Sequence, residues 1–161
     1  MPLMYPELNS QVSLSEPLPQ FVPGSACAQC DVCCRFPESD SFLRPYFTRE
    51  EIDAAVAQGL SPSLFMDPAG SQIALVKDAG SDGYLCPAFD PATSRCGIYE
   101  HRPLDCQLYP LALMWSEDGT RIELGWDTKC PFMRDAVPRD IQRHADQVLS
   151  LLQRESTHQI L

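Results

Sequence analysis

Eight cysteines in 161 residues set the first limit on what this chain can fold into. Four fall in one short run, Cys27-x2-Cys30-x2-Cys33-Cys34, and Cys86, Cys96, Cys106 and Cys130 follow singly. A thiolate is a soft ligand, and a two-residue spacer lets two sulfurs turn back onto one metal. The pattern therefore predicts a metal or cluster protein with Cys27, Cys30, Cys33, Cys34, Cys86, Cys96, Cys106 and Cys130 as its ligands. Redox-dithiol chemistry is the weaker reading. Cys27-x2-Cys30 has the oxidoreductase spacing, but nothing around it predicts a βαβ frame.

Two kinds of metal centre fit the spacing. Cys27, Cys30 and Cys33 have the C-x2-C-x2-C spacing of bacterial ferredoxins, whose triplet holds three irons of a four-iron, four-sulfide cubane. The fourth ligand there is a distant Cys followed by Pro, and this chain has Cys86-Pro87 and Cys130-Pro131. Cys34 departs from that pattern because it adjoins Cys33. Zinc competes: all-thiolate zinc sites take four sulfurs, and eight cysteines suffice for two of them. Adjacent Cys33 and Cys34 are expected to point in different directions and serve different metals. Arg35, Arg95 and Lys129 each adjoin a cysteine, where they would offset thiolate charge.

Composition agrees with a metal-dependent fold. Apolar residues make up 44% of the chain, but eight of them are cysteines, so the remaining core is modest. Fifteen prolines imply many turns and short elements. Such a chain is expected to need its metal to fold. A net charge of −10 argues against a nucleic-acid footprint, which requires clustered Lys and Arg. It leaves room for a basic protein partner. Met1 to Ser10 lack a basic and apolar leader pattern, and no run approaches the length of a membrane span. The expectation is a cytoplasmic protein with no membrane association, in a compartment where thiols stay reduced.

Three segments are expected: a proline-rich extended arm over 1–24, a cysteine domain over 25–135 and a C-terminal helix over 136–161. Within the domain, Thr48-Arg49-Glu50-Glu51 reads as a capping box that opens a short helix ending at Gly59. Ile73-Ala74-Leu75-Val76 reads as a strand. Leu111 to Trp115 and Arg121 to Trp126 flank Glu117-Asp118-Gly119-Thr120 and predict a hairpin. From Pro138 onward, Ile141, Ala145, Val148, Leu149 and Leu152 recur at helical spacing. His144 is assigned to the solvated side of that helix.

The segment Cys96-Gly97-Ile98-Tyr99-Glu100-His101-Arg102-Pro103-Leu104-Asp105-Cys106-Gln107-Leu108-Tyr109-Pro110, taken with the opening cysteine run, resembles the YkgJ-like cysteine-cluster family, a zinc- or iron-chelating domain. The shared signature is C-x2-C-x2-C-C, then Cys-Pro, then C-x-I-Y-x2-R-P-x2-C-x3-P, then a late Cys. The resemblance spans Cys27 to Cys130 and implies an eight-cysteine metal domain. Some flagellin lysine methylases resemble the same domain, but this chain has neither a glycine-rich S-adenosylmethionine loop nor the radical-enzyme C-x3-C-x2-C. In the residues themselves, Pro103 suits the start of a helical turn carrying Cys106. Arg102 suits a cluster sulfur or the Asp105 carboxylate, and Ile98 and Tyr99 would shield the site. His101 is a further ligand candidate, although eight cysteines already suffice.

These readings converge on a small, irregular, metal-stabilised α+β domain with short helices, one β-hairpin and long loops. The expected function is metal binding through an iron–sulfur cluster or zinc, structural and with a role in redox or metal sensing. The alternatives are a cluster-dependent enzyme, oxidoreductase or methylase-like, and a structural zinc module that binds a protein partner. No Ser-His-Asp order, P-loop or dinucleotide motif appears.

Overall fold

Short strands and turns, rather than long elements, carry most of the chain, as its many prolines require. The computed structural model describes residues 2–3, 18, 20–22, 30–115, 117–120, 122–127 and 129–160. Cys27 and most of the expected arm lie outside the described residues. The strands are β1 (Pro2–Leu3), β2 (Arg35–Phe36), β3 (Tyr46–Thr48), β4 (Gly70–Gln72), β5 (Val76–Lys77) and β6 (Tyr84–Leu85). They continue with β7 (Phe89–Asp90), β8 (Arg95–Cys96), β9 (Leu111–Trp115) and β10 (Ile122–Trp126). The α-helices are α1 (Arg49–Ala57), α2 (Leu104–Leu108), α3 (Pro131–Asp135) and α4 (Pro138–Ile160). Single 3-10 turns lie at Val32–Cys34, Pro62–Leu64 and Tyr99–His101. This is a small α+β fold, as expected. It divides into two compact units, residues 24–106 and residues 1–23 with 107–161.

The 24–106 unit is built from paired short strands. β6 lies between β2 and β5, all antiparallel, while β3 pairs with β4 and β7 with β8. Phe47 and Ile73 are fully buried at its centre, with Ile52, Phe65, Leu85, Phe89 and Ile98 around them. The Phe47 and Phe65 rings meet edge to face, centroids 5.1 Å apart, a favoured aromatic geometry. Helix α1 begins where predicted: the Thr48 hydroxyl accepts the Glu51 N–H at 3.3 Å. The helix stops before Gly59, whose φ of +110° suits glycine.

The strand predicted over 73–76 is not formed as one element. Pairing ends at Gln72 and resumes at Val76. Between them the backbone turns to other partners: Ile73 N–H donates to the Pro45 carbonyl and Ala74 N–H to that of Leu64. Ile73 serves the core as a single bridge to Phe65, so its apolar run reports burial rather than a ladder.

In the other unit the predicted hairpin is present, β9 and β10 pairing from Ile122 opposite Trp115 to Trp126 opposite Leu111. Gly119 takes the left-handed φ of +68° in its turn. Helix α4 starts at Pro138 and buries Ile141, Ala145, Val148 and Leu149; the side chain of Leu152 lies outside the described residues. His144 corrects its expected placement on the solvated side. It is 9% exposed and stacks on Phe21 at 5.1 Å, and Phe21 meets Phe132 edge to face. Burial lowers the His144 pKa, favouring the neutral ring. Among the described residues, no helix is long and apolar enough to cross a membrane.

Candidate metal centre

Backbone pairing brings cysteines remote in sequence to one place. Cys34 ends the Val32–Cys34 turn immediately before β2, and Cys86 immediately follows β6. The Cys86 N–H donates to the Cys34 carbonyl at 3.0 Å, extending the β2–β6 ladder to the two cysteines. The Cys86-Pro87-Ala88-Phe89 turn closes when Phe89 N–H donates to the Cys86 carbonyl at 2.9 Å. Phe89 then pairs opposite Cys96 in β8. Cys106 arrives from a fourth direction, on α2.

The thiols of Cys33, Cys34, Cys86, Cys96 and Cys106 lie within electrostatic reach of one another. The Cys33 contact, a thiol hydrogen bond, pushes Cys34 up most strongly, followed by burial and the charges of Cys33, Cys86 and Cys106. Burial pushes Cys86 up to about 11, helped by Cys96 and Cys33. Cys96 is raised by burial and by Cys33. Cys106 is raised well above the usual thiol range by burial, then by Cys86, Asp105, Cys33 and Cys96. The Cys33–Cys34 hydrogen bond corrects the expectation that these neighbours turn apart. Cys33 is exposed, Cys30, Cys34, Cys96 and Cys106 are partly buried, and Cys86 is buried. Cys130, also buried, precedes α3 as its N-cap residue in the other unit.

Backbone amides are already aimed at two sulfurs. Ala88 and Phe89 N–H groups bond the Cys86 sulfur, and the Ile98 N–H bonds that of Cys96. Each of these bonds favours the thiolate. Ile98 is buried beside the site. The Arg102 charge also draws Cys96 down. Its guanidinium stacks 4.0 Å from the Tyr99 ring centre, and its Nε donates to the Tyr99 carbonyl at 3.0 Å. Arg35 does not take the role expected beside Cys34. Its Nε holds Asp31 at 2.7 Å and its Nη1 holds Asp78 at 2.9 Å, so its charge is matched by carboxylates. Among the described residues, no three His, Cys, Asp or Glu side chains stand close enough to grip a metal ion as placed. The donor set nevertheless fits zinc or iron in its chemistry: soft, clustered thiols, with amide donors and one cation to stabilise their charge.

The sequence reading missed the long-range role of Glu51 and offered Asp105 to Arg102, whereas both carboxylates meet backbone amides. Glu51 Oε2 accepts the Leu104 N–H at 3.1 Å, and Asp105 Oδ2 accepts the Tyr46 N–H at 2.9 Å. The capping box accounts for the Glu51 N–H, which Thr48 accepts, and leaves its carboxylate to cross to another segment. Burial pushes Glu51 up to about 7 from an ordinary 4.5, against the bonds from Leu104 and Thr48 and with help from Asp105 and Glu50. Between those values the folded chain holds more protons than the unfolded one. Glu51 therefore makes stability decline as pH rises from 4.5 towards 7. Glu51→Gln keeps an acceptor and never ionises. Its melting temperature should match wild type near pH 4.5 and exceed it at pH 8. A constant difference across that range would contradict the assignment.

A family model described as a putative zinc- or iron-chelating domain, of the CxxCxxCC type, matches residues 26–131. The chain belongs to this family. The match takes in all eight cysteines. No curated protein and no solved structure matches the chain.

Proposed function

We propose that this CxxCxxCC protein binds zinc or an iron–sulfur centre through its cysteine thiols, and that the metal organises the fold. The observation that carries the reading is the gathering of Cys33, Cys34, Cys86, Cys96 and Cys106 from four separate segments. Cys27 and Cys30 precede them in the same run, and Cys130 completes the ligand set read from the sequence. A bound metal would supply a cross-link among these segments and, as a cluster, a one-electron couple. The chain's own residues hold the thiols, with Ala88, Phe89 and Ile98 amides stabilising sulfur charge and Ile98 limiting water. The reading places the protein in the reducing cytoplasm, where thiols persist as ligands.

Anaerobic purification with metal analysis and an absorption spectrum tests it. Iron with acid-labile sulfide and a broad visible band identifies a cluster, and a colourless zinc protein identifies a zinc centre. A protein that holds neither and takes up neither overturns the reading. Arg102 supplies a finer check. Its charge favours the Cys96 thiolate, so Arg102→Ala should release metal to a chelator several-fold faster, a change of about 1 kcal/mol. Arg49→Ala, at an exposed position on α1, should release it at the wild-type rate.

A further inference from the structure

We infer that Glu51 and Asp105 form a reciprocal brace that positions Cys106 for the metal centre. The inference rests on the metal-binding reading above. Helix α2 has five residues, too short to persist alone in water. Its first N–H groups have no partner within the helix. Glu51, from the first turn of α1, supplies an acceptor for one of them, the Leu104 N–H at 3.1 Å. Asp105, within α2, returns the contact by accepting the Tyr46 N–H at 2.9 Å, at the start of β3. Strand β3 leads directly into α1, with Thr48 as its cap. The two bonds therefore run in opposite directions between the same two segments, and Cys106 is the next residue after Asp105.

The burial of both carboxylates strengthens the argument. Burial raises Glu51 and Asp105 alike, and the Asp105 charge adds to the cost of ionising Glu51. Two carboxyl groups held close together against that cost need a compensating gain, and here the gain is two satisfied amides. Pro103 is fully buried immediately before α2 and fixes φ on its approach. The segment is thus held by its backbone, leaving the Cys106 side chain to face the other thiols. This is the arrangement of an outer partner that orients a ligand without touching the metal. Neither carboxylate is among the ligands read from the sequence, and both are assigned here as positioning residues.

The full-length protein, stripped and titrated with Co2+ under argon, tests the brace through the thiolate-to-metal absorption. Glu51→Ala should weaken Co2+ binding by roughly tenfold, the usual scale for an outer partner. Glu51→Gln, which keeps the acceptor, should bind within about twofold of wild type, and so should Glu50→Ala on the exposed side of α1. In a Cys106→Ser background, Glu51→Ala should cost nothing further, because its effect passes through that thiol. Equal loss in the Gln and Ala variants, or an undiminished loss in the Cys106→Ser background, would overturn the inference. Amide exchange at Leu104 in the protein as purified gives a readout independent of metal. Exchange should quicken in Glu51→Ala and stay slow in Glu51→Gln. If wild type takes up no Co2+, the metal-binding reading fails and the exchange comparison alone decides the brace. Wild-type Co2+ binding with unchanged affinity in Glu51→Ala rejects the brace and leaves the metal-binding reading standing.

Discussion

Complete removal of the metal is expected to lower the melting temperature by about 10 °C or more. A ligand present at a thousand times its dissociation constant stabilises a fold by about 4 kcal/mol. In a chain of this length each kcal/mol moves the midpoint by roughly 2–4 °C. The architecture gives reason to expect at least that much. Strands β2, β5, β6, β7 and β8 have two residues each. Pairs this short are marginal in water. The thiols sit where those fragments meet, with Cys34, Cys86 and Cys96 packed against the apolar cluster. Without a metal, burial and their mutual proximity keep these sulfurs as neutral thiols, with no bond between the segments that carry them. With one, the same sulfurs tie four segments together. Differential scanning calorimetry on matched samples, with metal content measured on each, makes the comparison. An unchanged transition in fully stripped protein would refute a structural role.

Features set by short-range chemistry were readable from the chain alone. Thr48 caps α1 because a hydroxyl at that position meets the Glu51 N–H whatever lies around it. The β9–β10 hairpin follows from an Asp-Gly turn between two apolar runs. Features decided at long range were less readable. The Glu51 carboxylate crosses to Leu104, 53 residues away, because α2 offers an unpartnered amide there. Ile73 joins the core through one bridge, which an apolar run cannot distinguish from a ladder. His144 stands three residues after Ile141 and four before Val148, so helical spacing does place it on the buried face. Imidazole is polar and so falls outside an apolar pattern, yet its ring packs in a tilted arrangement against Phe21.

The cysteines show the same division. Their number and their run at the start of the domain identify the chemistry. Which of them meet depends on pairings such as Cys34 with Cys86 and Phe89 with Cys96, which no spacing rule supplies. Once those pairings form, Cys34, Cys86, Cys96 and Cys106 converge although up to 72 residues separate them. The spacing rule and the fold therefore identify the site at different levels, one naming the donors and the other assembling them.

Cys86→Ser should cause the largest loss of metal of any single substitution at the described thiols. Cys86 is buried, its N–H is tied to Cys34, and its sulfur receives the Ala88 and Phe89 amides. Those amides stabilise a sulfur anion, and a serine hydroxyl at the same place stays protonated and is a poor soft-metal ligand. Loss of an outer partner typically costs about 10–100-fold in affinity, so loss of the ligand itself should cost at least as much. Packing loss and ligand loss separate in the melting temperatures. If Cys86 binds metal, stripped wild type and stripped Cys86→Ser should melt within about 3 °C of one another, a difference of roughly 1 kcal/mol. Metal should then raise the midpoint of wild type alone. If Cys86 only packs, the variant should melt lower in both states and keep the same metal-dependent rise. Full metal stoichiometry in Cys86→Ser would remove this cysteine from the centre. The geometry predicts the opposite, because Cys86 joins the β2–β6 ladder to the turn that leads to Cys96.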